Sequence, residues 1–311
     1  MLTYLIIILD DTSTSFCHYN VLSKKSKLIG IDDLKAGVIF AMKENLNIQF
    51  VYPNYELPKE YLEIIDSIDH TDIKPIKQGY DVDVVVLDRW EDKVPDDATC
   101  ILRCSHDQLA GHFDVIKGWL EHSARLNVVI TNIDTFNDVD IENYRTTLIK
   151  FVDVIAELFA NGHCPQLNIL TDRLMLSKMN NCGAGYSSVT LAPNGSFYLC
   201  PAFYIENESQ SIGDLKNGLS IKNKQLLRLD HAPICSKCDA YHCRRCIWMN
   251  QSLTMDINTP SHQQCVVAHI ERNASRELQI KLENLGVGLK NSCSIKEITE
   301  LDPFNIINKW K

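Results

Sequence analysis

Seven cysteines between Cys182 and Cys265 constrain this chain more than any other feature. They run Cys182-x12-Gly195-x4-Cys200, then Cys235-x2-Cys238-x4-Cys243-x2-Cys246, then a lone Cys265. More than half of the 12 cysteines therefore fall in about a quarter of the 311 residues. Such density means metal ligation or disulfides. The apolar start, Leu2 to Leu9, is too short to span a bilayer and runs directly into Asp10 and Asp11 without a basic lead. It reads as a buried strand, not as an export signal. A reducing cytoplasm is the expected compartment, and there close cysteine pairs bind metal more often than each other. The formal charge of −9 disfavours nonspecific nucleic-acid or anionic-membrane partners.

Before the cysteines, apolar runs alternate with helical periodicity. Strands are predicted over Leu2–Leu9, Ile48–Tyr52, Val82–Leu87, Thr99–Cys104, Leu126–Thr131 and Leu167–Leu170. Asp32 or Asp33 is the expected cap of a helix whose Leu34, Val38, Ala41 and Met42 share one face. Asp107–Ser123 predicts a second helix. Ile141, Tyr144, Leu148, Val152, Ile155 and Phe159 form the stripe of a third, ended at Asn161-Gly162. Arg89–Ala98 is too short and acidic for a good crossover helix. Strands alternating with helices predict an α/β fold with a parallel sheet. Six strands leave a partial barrel, not a closed eight-strand one.

The pattern changes from about Met175. Asn194-Gly195 between Thr190–Pro193 and Phe197–Leu199 predicts a short hairpin. Ile212–Leu215 reads as extended, Ile221–Leu229 as helical and Cys235–Cys246 as a ligand loop. Helical spacing resumes over Val266–Leu285. The implied division is 1–175, 176–270 and a helical tail at 271–311.

Iron–sulfur clusters need several thiolates wrapped round one compact inorganic core. Two Cys-x2-Cys pairs four residues apart suit that need. A zinc tetrathiolate is the rival, but zinc folds typically separate such pairs by roughly 12 to 20 residues. Zinc alone would also leave Cys182, Cys200 and Cys265 without a role.

The cysteine order, with the text Leu191-Ala192-Pro193-Asn194-Gly195-Ser196-Phe197-Tyr198-Leu199-Cys200-Pro201 and Ile212-Gly213-Asp214-Leu215, resembles the SPASM domain. That domain follows the barrel of many radical S-adenosylmethionine enzymes that modify peptides and proteins. The resemblance implies two auxiliary [4Fe–4S] clusters. Cys182, Cys200 and Cys246 would hold the first; Cys235, Cys238, Cys243 and Cys265 would hold the second. The central block is two residues shorter than the usual Cys-x2-Cys-x5-Cys-x3-Cys, which loosens the assignment of Cys243 and Cys246. The first cluster lacks an evident fourth ligand. Leu176 stands where some relatives have a cysteine; Cys164, Asp172 and His163 are the candidates, and an open site is the alternative.

The amino-terminal half departs from the radical enzymes. They carry Cys-x3-Cys-x2-Cys after the first strand, which leaves one iron free for S-adenosylmethionine. Here the corresponding positions are Ser13, Cys17 and Asn20, and serine and asparagine are poor ligands for such a cluster. The Gly-Gly-Glu-Pro that ends their second strand is replaced by Val51-Tyr52-Pro53-Asn54. The combination resembles the pseudo-radical-SAM/SPASM proteins, particularly the CXXX repeat peptide maturases, on the text of residues 8–19. It implies no S-adenosylmethionine, a true radical SAM maturase as partner and a cysteine-rich precursor peptide.

Other residues have plainer readings. Cys100 and Cys104 share one face of a strand and are expected in the core. His106 and Asp107 could pair as a base, but Asp107 is expected to cap a helix. His18 is expected at the surface. Arg244-Arg245 could tune a cluster, grip a partner or simply be solvated. Cys293 has no assignment. Three functions remain open at this point: an accessory subunit of peptide maturation, an enzyme acting on a peptide thiolate at an auxiliary cluster, and a zinc-stabilised peptide-binding module.

Overall fold

The computed structural model describes residues 2–19, 25–76, 82–287, 292 and 294–295. Asn20, Cys293 and most of the segment after 287 lie outside the described residues. The chain divides into two compact units. One comprises residues 1–88 and 183–231, the other residues 89–182 and 232–311.

In the first unit, β1 (Tyr4–Ile8) is flanked by β2 (Asn47–Val51) and by β8 (Ser188–Leu191), both parallel to it. β3 (His70–Pro75) and β4 (Val84–Leu87) extend the sheet beyond β2, again in parallel. β8 turns back as a hairpin into β9 (Phe197–Tyr198), as Asn194-Gly195 predicts. Gly195 has a φ of +76°, which glycine adopts freely. β1 is apolar on both faces because both are covered. Leu5, Ile7 and Leu9 join Leu34, Val38 and Ala41 of α1 (Ile31–Glu44) in one core with Val189, Leu191 and Phe197.

The expectations for this unit need correction at four points. α1 is preceded by Gly30, not capped by Asp32 or Asp33; both carboxylates lie in its first turn, where they suit the helix dipole. Met42 is exposed, and Gly37 takes the place on the inner face that a long side chain would overfill beside Leu191. β3 and α2 (Lys59–Ile65) are absent from the sequence reading. β3 escapes hydrophobic pattern rules because His70, Asp72 and Lys74 alternate along it. Asp72 takes up its own neighbours, with His70 Nε2 at 3.2 Å and Lys74 in an ion pair. Ile221–Leu229 is not an α-helix either; it forms two short 3-10 turns, at Lys224–Leu227 and Leu229–His231.

In the second unit, β5 (Thr99–Cys104) pairs in parallel with β6 (Arg125–Ile130), and β6 with the short β7 (Gln166–Leu167). The single helix expected over 107–123 is two: α3 (His106–Gly111) and α4 (Phe113–Leu120), which meet at His112. Ser105, not Asp107, is the cap of α3, and it forms a capping box with Gln108. α5 (Asp138–Ala160) buries the expected stripe from Tyr144 to Phe159 and ends where Gly162 adopts a φ of +84°. It packs on α9 (His262–Asn284), which begins four residues before the expected helix and supplies the long inner face of this unit. Cys100 and Cys104 are buried core residues, as expected, and burial pushes both thiols up to about 12. No helix of the described residues is long and apolar enough to cross a membrane.

Candidate metal centre

The loop that follows β1 is closed by its own side chains. Asp10 is fully buried. Its carboxylate accepts hydrogen bonds from Thr12 N at 2.9 Å, Thr12 Oγ1 at 2.5 Å, Ser26 Oγ at 3.0 Å and Tyr55 Oη at 2.9 Å. Burial alone would raise this carboxyl, but donation from Thr12, Tyr55 and Ser26 outweighs it and holds the group below the usual carboxylate range. The Asp10 amide donates to Ser13 Oγ at 3.2 Å, and Ser13 N returns a bond to the Asp10 carbonyl at 2.9 Å. Ser13 is thus buried and committed to the turn. Asp11 accepts from the Tyr204 hydroxyl. Further along, Tyr19 Oη accepts from Ser15 N at 3.0 Å, and Ser15 Oγ accepts from Cys17 N at 3.4 Å. Cys17 is half-buried.

At the end of β2, Tyr52 is buried and the Lys74 ammonium lies 4.3 Å from its ring centroid. Burial and the charge of Asp72 push its hydroxyl far above its ordinary value.

The cysteine loop of the second unit is built on short-range geometry. Cys235 opens a 3-10 turn ending at Lys237, and the Cys238 amide bonds the Cys235 carbonyl at 3.3 Å. Cys238 Sγ accepts from Ala240 N at 3.4 Å and stands 3.5 Å from His269 Nε2. Cys243 follows a turn closed to Ala240 at 3.0 Å. Cys246 is the N-cap of α8 (Ile247–Thr254), and Cys265 sits in the first turn of α9, whose cap is Ser261. Cys182 is tied to the same loop, since its amide donates to the Arg244 carbonyl at 3.0 Å. Cys200 belongs to the first unit, where it is buried at the N-cap of α7 (Pro201–Glu206).

Burial pushes the Cys235 thiol up to about 11, with the charge of Cys238 adding to the rise and Arg245 opposing it. Cys243 is pushed up to about 12 by burial, and Cys235, Cys238 and Glu271 add to that after a partial offset from the Arg245 amide. Cys238 is raised too, by burial first. Charge on Cys238 thus opposes ionisation of Cys235, and charge on Cys235 and Cys238 opposes that of Cys243. Among the described residues, no three Cys, His, Asp or Glu side chains stand close enough to hold a metal ion as they are placed. The donor chemistry of the loop nonetheless suits an iron–sulfur cluster: soft sulfurs at short spacing, with backbone N–H groups aimed at them.

The loop is anchored by charges that pattern reading missed. Asp239, between Cys238 and Ala240, takes a two-point bond from Arg272 of α9, at 2.6 and 2.5 Å. Its carbonyl accepts from Arg173 Nε at 2.6 Å, and the Arg173 guanidinium lies 4.4 Å from the Tyr241 ring centroid. Arg245 is not solvated. It is buried in a left-handed turn and donates to Asn181 at 3.0 Å and Asn258 at 2.6 Å. Arg244 is exposed. The only signal for Asp239 and Arg272 lies in α9 itself, where Cys265, His269 and Arg272 recur at helical spacing.

Two of the three residues considered as a fourth ligand have other duties. Asp172 is held by Arg125 at 2.9 and 2.7 Å, and His163 Nε2 lies 2.9 Å from the Leu120 carbonyl. Cys164 is exposed. The His106–Asp107 pair is joined by a second carboxylate: His106 Nε2 lies 3.2 Å from both Asp107 and Asp140, and Asn132 lies 3.0 Å from Nδ1.

The fold matches solved structures. Against hexahistidine-tagged anSMEcpe with bound AdoMet, the TM-score is 0.60 at 13% identity, over 91% of this chain and 99% of that one. Native anSMEcpe with bound AdoMet and Cp18Cys peptide gives 0.58 at 12% identity, over 91% of this chain and 99% of that one. anSMEcpe is an anaerobic sulfatase-maturating radical SAM enzyme. The chain has a radical SAM-like fold. No family model and no curated protein matches its sequence. The α/β class expected from the strand–helix alternation is therefore the observed one.

Proposed function

We propose that this chain is an accessory maturation protein for a ribosomally synthesised, modified peptide, acting beside a true radical SAM maturase. In this reading, residues 1–175 correspond to a degenerate radical-SAM-like domain and 176–270 to a SPASM-like iron–sulfur domain, which α9 continues past residue 271. One observation carries the reading. In a fold of this kind, the loop after β1 would need open thiolates, and here it is occupied by a satisfied polar network centred on Asp10 and Ser13. Binding a cluster at Ser13, Cys17 and Asn20 would require breaking that network and would gain two poor ligands. S-adenosylmethionine would then lack the iron that binds it. Peptide as the substrate class is supported by the fold shared with anSMEcpe, which has been solved with a bound peptide.

Two [4Fe–4S] clusters are the cofactors of this reading. Cys235, Cys238, Cys243 and Cys265 would hold one, and Cys182, Cys200 and Cys246 would contribute to the other. Bound there, the clusters would supply electron relay or structural bracing. The chain's own part is to present closely spaced sulfurs, direct N–H groups at them and brace the loop with Asp239.

The test is metal analysis on protein purified without oxygen, with S-adenosylmethionine titration and co-elution with a radical SAM partner. About eight iron and eight sulfide per chain, with no S-adenosylmethionine binding, is expected. About twelve iron, with binding, would place a cluster near Cys17 and overturn the accessory role. Zinc without sulfide would leave a binding module. Turnover of a cysteine-rich peptide by the chain alone would make it an enzyme in its own right.

A further inference from the structure

His269 and Arg272 of α9 meet the cysteine loop, and Cys265 lies on the same helix face. Cys265 is one of the sulfurs proposed for the second cluster. His269, four residues on, brings Nε2 to 3.5 Å from Cys238 Sγ. Arg272, three residues further, grips Asp239, the neighbour of Cys238. Positions separated by four and then three residues lie on one helix face, so α9 faces the loop with a sulfur, an imidazole and a guanidinium in order. His269 is buried, with 4% of its surface exposed, which fixes its ring against the loop.

We infer that His269 is a positioning and tuning residue of this sulfur site: its imidazole donates Nε2–H to the Cys238 thiolate when the cluster is bound. The inference rests on the proposed iron–sulfur reading and adds to it a residue outside the cysteine pattern. Cys238 would carry two N–H donors, since Ala240 N already points at it from 3.4 Å. A hydrogen bond to a ligand sulfur stabilises the extra negative charge of the reduced cluster more than that of the oxidised one, so it raises the reduction potential. The Asp239–Arg272 pair holds the geometry, because it fixes the register of the loop against the same helix.

The experiment uses full-length protein purified without oxygen, with iron and sulfide counted before the cluster potential is measured by titration and electron paramagnetic resonance. His269→Ala and His269→Gln are compared with the unaltered chain. The expected result is unchanged iron and sulfide, a lower midpoint for one cluster in His269→Ala, and partial recovery in His269→Gln, which keeps an N–H donor. An unchanged midpoint with full cluster content overturns the inference and leaves the iron–sulfur reading standing. Loss of iron or a changed resonance type in both variants overturns it too, by making His269 a ligand. Absence of sulfide from the unaltered chain overturns both. If His269→Ala does not fold, His269→Gln alone decides between a shifted and an unshifted midpoint.

Discussion

Removing the Asp239 carboxylate tests whether the cysteine loop is braced by protein charges independently of any metal. Arg272 is 1% exposed and Asp239 34% exposed; Nε and one terminal nitrogen of the guanidinium bond that carboxylate, and the other bonds Asn273. Breaking a fully buried ion pair by deleting one partner costs about 3–5 kcal/mol, because the remaining charge is left uncompensated. Water reaches about a third of Asp239, so the cost should fall to about 2–3 kcal/mol. Asp239→Ala and Arg272→Met, made singly and together, form a double-mutant cycle to be measured by urea unfolding of chelator-treated, reduced protein. Each single change should destabilise the second unit. The pair should cost less than the sum by about 1–2 kcal/mol, since neither charge is then stranded. Additive losses would refute the brace, as would a brace that appears only when metal is bound. Asp239 is held below its ordinary value because Arg272 and Arg173 outweigh its burial. Its contribution should therefore be full above the unfolded carboxylate value and fade as pH falls through the lower folded one.

Other outcomes follow from the same contacts. Tyr55→Phe deletes one of four donors to Asp10 and should cost about 1–2 kcal/mol in thermal or urea unfolding at neutral pH. Because the Asp10 carboxyl is lowered, that network should weaken only as pH falls below about 4, which a pH series on Asp10→Asn and the unaltered chain would show as converging stabilities. Cys100 and Cys104, both raised to about 12 by burial, should resist iodoacetamide at pH 8 in the folded protein, while exposed Cys164 is alkylated; mass spectrometry reads each site. Gly213→Ala would place a methyl group 2.0 Å from the Gly218 carbonyl oxygen at a φ of +133°, and should cost about 1–3 kcal/mol in unfolding.

Regular local signals read correctly from the chain. β1, β2, β5 and β6 were visible because buried parallel strands are short β-branched runs, and α5 because Tyr144 to Phe159 keep one helical face. The Asn194-Gly195 hairpin was visible because its turn demands glycine. β3 was not, since its polar face is satisfied by His70, Asp72 and Lys74 pairing with one another. The break between α3 and α4 at His112 carries no proline to announce it.

For the candidate site, the sequence alone carries the donor set of the proposal: seven thiols in a spaced order. Spacing along the chain is what makes these thiols legible as a donor set, because a cluster is wrapped by sulfurs close in sequence. Only the tertiary structure decided which other residues attend them. His269 reaches Cys238 across 31 residues of sequence, and Arg272 reaches Asp239 across 33. Asp10 gathers Ser26 and Tyr55 from 16 and 45 residues away. Such contacts depend on how α9 packs and how the loop after β1 folds back, and neither is encoded in any local period of the sequence.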